Sequence, residues 1–255
     1  MTVQNDQDLH GLRAIGQLVA TILTAMRNAT KPGVSTAEID QVAAQILNNA
    51  GARSGPILNY DFPGHTCISV NDEVVHGIPG QRRIEPGDVV KLDVVAELNG
   101  YFADSCVTEL VPPVREEDRR LSKTAKSALR KAIAAAVAGR KLNAIGRIID
   151  REVSAAGFSV IPELAGHGVG RKVHEDPQVL NYEDPRIKTT LQPGMVLTIE
   201  PIIAAGSGKI ATLSDGWTVV TKDQSPAAHW EHTVIITEAE PIILTLGDEA
   251  LERVG

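Results

Sequence analysis

Only two cysteines occur in the 255 residues, Cys67 and Cys106, and they form no Cys-x-x-Cys pair. Neither a disulfide scaffold nor a cysteine-based zinc site is expected, and a reducing compartment fits best. Aromatic residues make up 3% of the chain, too few for the platforms on which single-stranded nucleic acids stack. Positive charge is also scarce: the formal net charge of −7 speaks against a basic nucleic-acid surface. The start, Met1-Thr-Val-Gln-Asn-Asp-Gln-Asp, lacks the basic and apolar regions of a signal peptide, and no stretch reads as a membrane span. The expectation is a cytoplasmic monomer with no membrane partner and no specific nucleic acid. The length suits one large domain or two small ones, and no low-complexity linker divides it, so one domain over residues 1–255 is expected.

The periodicity of apolar residues gives the elements. Leu12, Ile15, Leu18, Val19, Ile22, Leu23 and Met26 recur at helical spacing between about Leu9 and Ala29, and Lys31-Pro32-Gly33 stops that helix. Ser35 and Glu38 form a capping-box pattern that opens a second helix ending at Gly51. Strand-like runs follow at Cys67–Val70, Val89–Glu97 and Phe102–Val111. Helices are expected over Glu116–Gly139 and Leu142–Ala156, then strands near Met195–Ile203, Trp217–Thr221 and His232–Thr237. The order is helices then strands, twice. Shifting by 106 positions places Ile145 on Ile39, Ala156 on Ala50 and Gly157 on Gly51, a weak trace of internal duplication. The pattern implies an α+β fold with antiparallel sheet and helices on one side.

Chemistry concentrates on a few acids. In Val-Val-Lys-Leu-Asp93-Val-Val-Ala-Glu-Leu-Asn99-Gly100-Tyr-Phe-Ala-Asp104-Ser, the Asn-Gly pair between strand-like runs signals a two-residue hairpin turn. Cys106 then lies opposite Asp93, and Asp104 opposite Val95. Asp93 and Asp104 therefore share a face as diagonal neighbours, roughly 7 Å apart at the Cα atoms. The bland reading is a solvent-facing acidic pair. The apolar context favours burial instead, and buried carboxylates that close together need a cation between them. Gly166-His167-Gly168-Val169-Gly170 adds an imidazole, with glycines that let the backbone approach a bound group. Glu200 ends the apolar run Met195-Val-Leu-Thr-Ile, and Glu231 begins His232-Thr-Val-Ile. Either acid alone reads most simply as an edge charge. Together with His167, Asp93 and Asp104 they supply four negative charges and one neutral nitrogen, which two divalent ions balance. Oxygen-rich ligation with one imidazole suits Co, Mn, Fe(II) or Zn, and such a centre activates water for hydrolysis.

The segments Asn-Asp-Glu-Val-Val-His76-Gly-Ile-Pro-Gly, Lys-Leu-Asp93-Val, Ala-Asp104-Ser, Gly-His167-Gly-Val-Gly, His174-Glu-Asp-Pro, Thr-Ile-Glu200-Pro and Trp-Glu231-His-Thr resemble type I methionine aminopeptidases over roughly residues 10–240. The resemblance implies a pita-bread fold of two pseudo-symmetric halves. The activity it implies is removal of N-terminal methionine from nascent polypeptides when the second residue is small, with the ribosome as a candidate partner. It assigns Asp93, Asp104, His167, Glu200 and Glu231 as ligands of two divalent ions, Asp104 and Glu231 bridging. Glu200 is also the proton shuttle, and His76 and His174 contact substrate. Cys67, Tyr60, Phe62 and Trp217 would line the methionine pocket.

Two departures stand out. Asp61 takes the place of a glycine common in relatives, and Val173 stands where many carry Phe, which suggests a more open pocket wall. An Xaa-Pro aminopeptidase or prolidase-like enzyme is the alternative on the same fold; those usually carry an additional N-terminal domain. A non-catalytic binding module is a second alternative, but such modules typically lose ligands, and none is missing here.

Overall fold

The computed structural model describes residues 1–246. The first half runs α1 (Asp6–Ala29), α2 (Thr36–Asn49), β1 (Arg53–Ser54), α3 (Gly55–Tyr60), β2 (Cys67–Val70), β3 (Glu73–Val75), β4 (Val89–Leu98) and β5 (Tyr101–Leu110). Next come α4 (Glu116–Ala135), α5 (Asn143–Ala155), β6 (Ser159–Val160), β7 (Ala165–Gly168), β8 (Glu175–Leu180), β9 (Val196–Ile199) and β10 (Ile202–Ala204). The described chain closes with β11 (Ile210–Thr212), β12 (Val219–Thr221), β13 (Ala227–His229), β14 (His232–Ile235) and β15 (Ile242–Ile243).

The 106-residue repeat is visible at the ends of α2 and α5. Gly51 and Gly157 both take left-handed φ values, 65° and 81°. Beyond them the N–H of Ala52 bonds the carbonyl of Leu47 at 2.9 Å, and that of Phe158 the carbonyl of Val153 at 3.1 Å, the same helix-closing bond. Each turn leads into a two-residue strand. β1 pairs antiparallel with β4, and β6 with β10. In the first half β4 also pairs with β2 and, along its other edge, with β5. In the second half β9 and β10 together take the place of β4, pairing with β14 and β13.

Hairpin β4–β5 has the register expected from Asn99-Gly100: Leu98 faces Tyr101, Val95 faces Asp104, and Asp93 faces Cys106. Both turn residues have positive φ, 53° and 82°, as this tight turn requires. The run expected as one strand at Met195–Ile203 is two, because Glu200-Pro201 interrupts it and proline has no N–H for the ladder. Register is the same on both sides of the break, with Ile199 opposite His232 and Ile202 opposite His229. Helix α4 stops at Ala135, short of the expected Gly139, because the N–H groups of Ala138 and Gly139 bond the carbonyls of Thr237 and Leu191.

Contrary to the sequence expectation, one segment does have the length and composition of a membrane span. Over 18 residues α1 reaches a mean hydropathy of 1.2. It is a core helix: Leu12, Ile15, Val19, Ile22 and Met26 are fully buried, and the helix packs on β4 and β5. One apolar cluster runs from Leu12 through Leu92, Leu129 and Ile145 to Val234 and Leu244.

Candidate metal centre

The two halves meet where β5 approaches β13 and β14. Hydroxyl side chains stitch the meeting line. Thr233 accepts from the N–H of Asp104 (2.9 Å) and donates to its carbonyl (2.7 Å). Thr108 does the same for His229, accepting at 2.9 Å and donating at 2.7 Å. Ser105 donates to the Glu231 carbonyl at 2.7 Å, and the N–H of Glu231 bonds Cys106 at 2.9 Å. Asp104 and Glu231 are thus set by reciprocal bonds between strands far apart in sequence.

His167 sits in β7 between β8 and β9. A Cβ at Gly166 would lie 2.6 Å from the Thr198 carbonyl oxygen, and one at Gly168 2.3 Å from that of Asp176. The flanking glycines therefore serve close strand packing rather than the approach to a bound group expected from sequence. The ring's Nδ1 lies 2.9 Å from the Gly168 carbonyl. A carbonyl only accepts, so Nδ1 carries the proton and Nε2 keeps a lone pair. That Nε2 lies 3.6 Å from Glu200 Oε1 and 3.8 Å from Asp104 Oδ2. Thr198 was missed in the sequence: its Oγ1 accepts from the N–H of His167 at 2.9 Å and donates to Glu200 Oε1 at 2.8 Å.

Ligand atoms of Asp104, His167 and Glu231 lie within 4.8 Å of one another. Asp93 and Glu200 complete the group at the floor of a cavity of about 1010 Å³. Burial pushes the Asp93 carboxyl up to about 7. Burial, helped by the charge of Asp93, takes Glu200 to about 8. Asp104 and Glu231 are raised well above the carboxylate range by burial and then by the surrounding acids. Asp93 Oδ1, Asp104 Oδ1 and Glu231 Oε1 are buried without a hydrogen-bond partner. Buried polar atoms of this kind need satisfaction, and divalent cations would supply both partner and countercharge. The donor set fits a divalent metal: carboxylate oxygens with an imidazole, and no cysteine in the converging group.

A second imidazole, His229, was not singled out from sequence. It is 2% exposed, both ring nitrogens lack a partner, and Nε2 is 3.7 Å from both Glu200 Oε2 and Glu231 Oε2. Burial lowers its pKa to about 3. The available signal was its position two residues before Glu231, which brings it to the same stretch of chain where β13 ends.

The remaining candidates line the cavity. His76 follows β3, a strand missing from the sequence reading. It has φ of 59° and lines the cavity. Gly77 behind it fits only because a Cβ would meet the Ile68 carbonyl oxygen at 2.3 Å. His174 lies against His167 with ring centroids 4.2 Å apart and planes tilted by 56°. Desolvation by the surrounding cavity walls lowers the pKa of His76 and His174. Phe62 is buried and meets Trp217 edge-to-face at 5.1 Å. Asp215 shapes the turn that presents Trp217, accepting its N–H at 2.8 Å. Cys67 lies opposite Asp93 in β2, its thiol pushed up by burial and that carboxyl. Tyr60 stands apart from this apolar corner. It is 43% exposed, and its hydroxyl contacts His174. Val173 is buried at the cavity wall.

Comparison with known proteins gives a consistent result. The model of metallopeptidase family M24 matches residues 10–238. Methionine aminopeptidase 2 of Bacillus subtilis (strain 168) is 42% identical over 247 residues, covering 96% of this chain and 99% of that protein. The crystal structure of methionine aminopeptidase from Thermotoga maritima superposes with a TM-score of 0.92 at 35% identity, covering 96% of this chain and 99% of the other. Prolidase from Pyrococcus furiosus shares the fold, with a TM-score of 0.78 at 23% identity, but this chain covers 65% of it.

Proposed function

The chain belongs to metallopeptidase family M24, and from that premise we propose that it removes N-terminal methionine from nascent polypeptides whose second residue is small. It is a hydrolase of the methionine aminopeptidase group, related along nearly its whole length to enzymes of that name. The observation that carries the reading is the buried acid cluster of Asp93, Asp104, Glu200 and Glu231 with the His167 lone pair, opening beside an apolar corner of Phe62, Trp217 and Cys67. The Xaa-Pro alternative is not favoured: the likeness to prolidase is one of fold. A non-catalytic module is not favoured either, since all five expected ligands are present.

Asp93, Asp104, His167, Glu200 and Glu231 would hold two divalent ions. When bound, such ions neutralise the acids, polarise the peptide carbonyl and acidify water. The remaining work falls to side chains. Glu200, whose Oε1 is fixed by Thr198, takes and returns the proton that ends on the leaving amine. His174 donates to the carbonyl oxygen as it becomes an oxyanion. His76 meets the amide nitrogen of the scissile bond. The methionine side chain fills the corner between Phe62, Trp217 and Cys67, where sulfur–aromatic contact is available. A continuous buried cluster from Leu12 to Leu244 supports a single catalytic domain. The cytoplasm is the fitting compartment, with nascent chains at the ribosome as its substrates and the monomer as the working form. Release of methionine from Met-Ala-Ser, compared with cleavage of an Xaa-Pro peptide, each with and without chelator, tests the reading. Metal-dependent release from the first alone is expected. Cleavage of only the second, or of neither with metal restored, overturns it.

A further inference from the structure

One polar contact at the cavity has no part in the chemistry proposed above. Tyr60 ends α3, and the next residue, Asp61, closes the helix in the left-handed region at φ 54°, ψ 32°, its N–H bonding the carbonyl of Ile57 at 3.3 Å. That reversal divides the two aromatic side chains. Phe62 turns inward, 4% exposed, onto Trp217. Tyr60 remains 43% exposed, and its hydroxyl lies 2.5 Å from Nδ1 of His174. The two rings are tilted by 56° with centroids 5.7 Å apart, so they meet through the hydroxyl and not by stacking. The His174 ring itself lies against His167. Among the described residues no hydrogen-bond partner takes His174 Nε2.

Resting on the function proposed above, we propose that Tyr60 is a positioning residue for His174: its hydroxyl donates to Nδ1 and thereby keeps the imidazole proton on Nε2, the nitrogen that serves the substrate carbonyl. A neutral imidazole has one N–H and one lone pair. Between a phenol and an imidazole, the phenol is the better donor and the ring nitrogen the better acceptor, so the bond runs from Tyr60 to His174. Burial and the nearby Asp104 raise the phenol pKa, which keeps its proton in place. Without the bond the two tautomers compete, and molecules with the proton on Nδ1 present a lone pair to the oxyanion. The arrangement is that of an acid–base imidazole oriented by a third group. It also separates Tyr60 from Phe62: Phe62 shapes the apolar pocket, while Tyr60 acts on the chemical step.

The test compares Tyr60→Phe with Phe62→Leu on Met-Ala-Ser. Tyr60 is partly exposed, so Tyr60→Phe should fold as the parent does, checked by its melting curve. Tyr60→Phe should lower kcat about tenfold with KM within about twofold, the size of one hydrogen bond. Phe62→Leu should act mainly on KM. Long-range proton–nitrogen spectra of the zinc-loaded enzyme, with histidine labelled, read the tautomer directly. His174 should be protonated on Nε2 in the parent and mixed in Tyr60→Phe. An unchanged kcat, a rise in KM alone, or an unshifted tautomer in Tyr60→Phe overturns the assignment. If the parent releases no methionine, the proposed function fails, and the spectra by themselves decide the role of Tyr60.

Discussion

Replacing Thr198 by Val should damage both the fold and the metal centre, by an amount that can be worked from two bonds. Thr198 is fully buried, and valine keeps its shape while removing only the hydroxyl. The N–H of His167 then loses its acceptor, and Glu200 Oε1 loses its donor. A buried amide left unpaired costs about 1–3 kcal/mol, and a hydrogen bond to a charged group is worth about 1.5–3. Together these come to roughly 2.5–6 kcal/mol. For a chain of this size each kcal/mol moves the melting temperature by about 2–4 °C, so a fall on the order of 10 °C is expected. Groups that orient metal ligands also change affinity, typically by about 10–100-fold. Calorimetric melting with and without chelator, and titration with Zn or Mn, measure both. Thr198→Ser keeps the hydroxyl and should recover most of each loss. A Thr198→Val protein that melts within about 2 °C of the parent and binds metal equally well would refute the reasoning.

Five further outcomes are expected. Asp104→Asn removes one of the buried carboxylates proposed to hold the ions, so it should abolish methionine release and leave purified protein depleted of metal; full activity at limiting metal refutes the ligand assignment. Metal uptake should release protons and strengthen as pH rises, because Asp93 at about 7 and Glu200 at about 8 must ionise to bind a cation. Titration calorimetry at pH 6 in two buffers of different ionisation enthalpy should show it, and identical heats would contradict it. With chelator present the same groups should make the fold less stable as pH rises from about 4 to about 8, since the folded chain keeps protons the unfolded chain has released; melting temperatures that rise over this range would count against it. His174→Ala should keep its metal complement yet lose about 10²–10³ in kcat; loss of metal would make His174 a ligand instead. Met-Ala should be cleaved far faster than Met-Leu, and Val173→Phe should raise the preference for Met-Ala over Leu-Ala; an unchanged ratio removes Val173 from the pocket wall.

Much of this molecule is legible locally. The spacing from Leu12 to Met26, the Ser35–Glu38 cap and the Asn99-Gly100 turn each depend on a few neighbouring residues. So does the shared face of Asp93 and Asp104, which hairpin register alone fixes. What stayed hidden depends on partners far along the chain. The short strands β1, β6 and β7 carry too few residues for a periodic signal and exist only because β4, β9 and β10 offer them edges. Thr198, Thr233 and Thr108 read as ordinary strand residues until folding sets them against His167, Asp104 and His229, up to 129 positions away. His229 looked like a flanking residue, and Tyr60 like a pocket wall beside Phe62. The left-handed turn at Asp61 sends one ring inward and the other to His174, a choice made by backbone geometry that residue type does not encode. Local pattern determines which segments are helix or hairpin and which acids share a face. Only long-range packing decides which buried polar atoms find partners, because an unpaired donor or charge is costly in the interior and the chain must close around it.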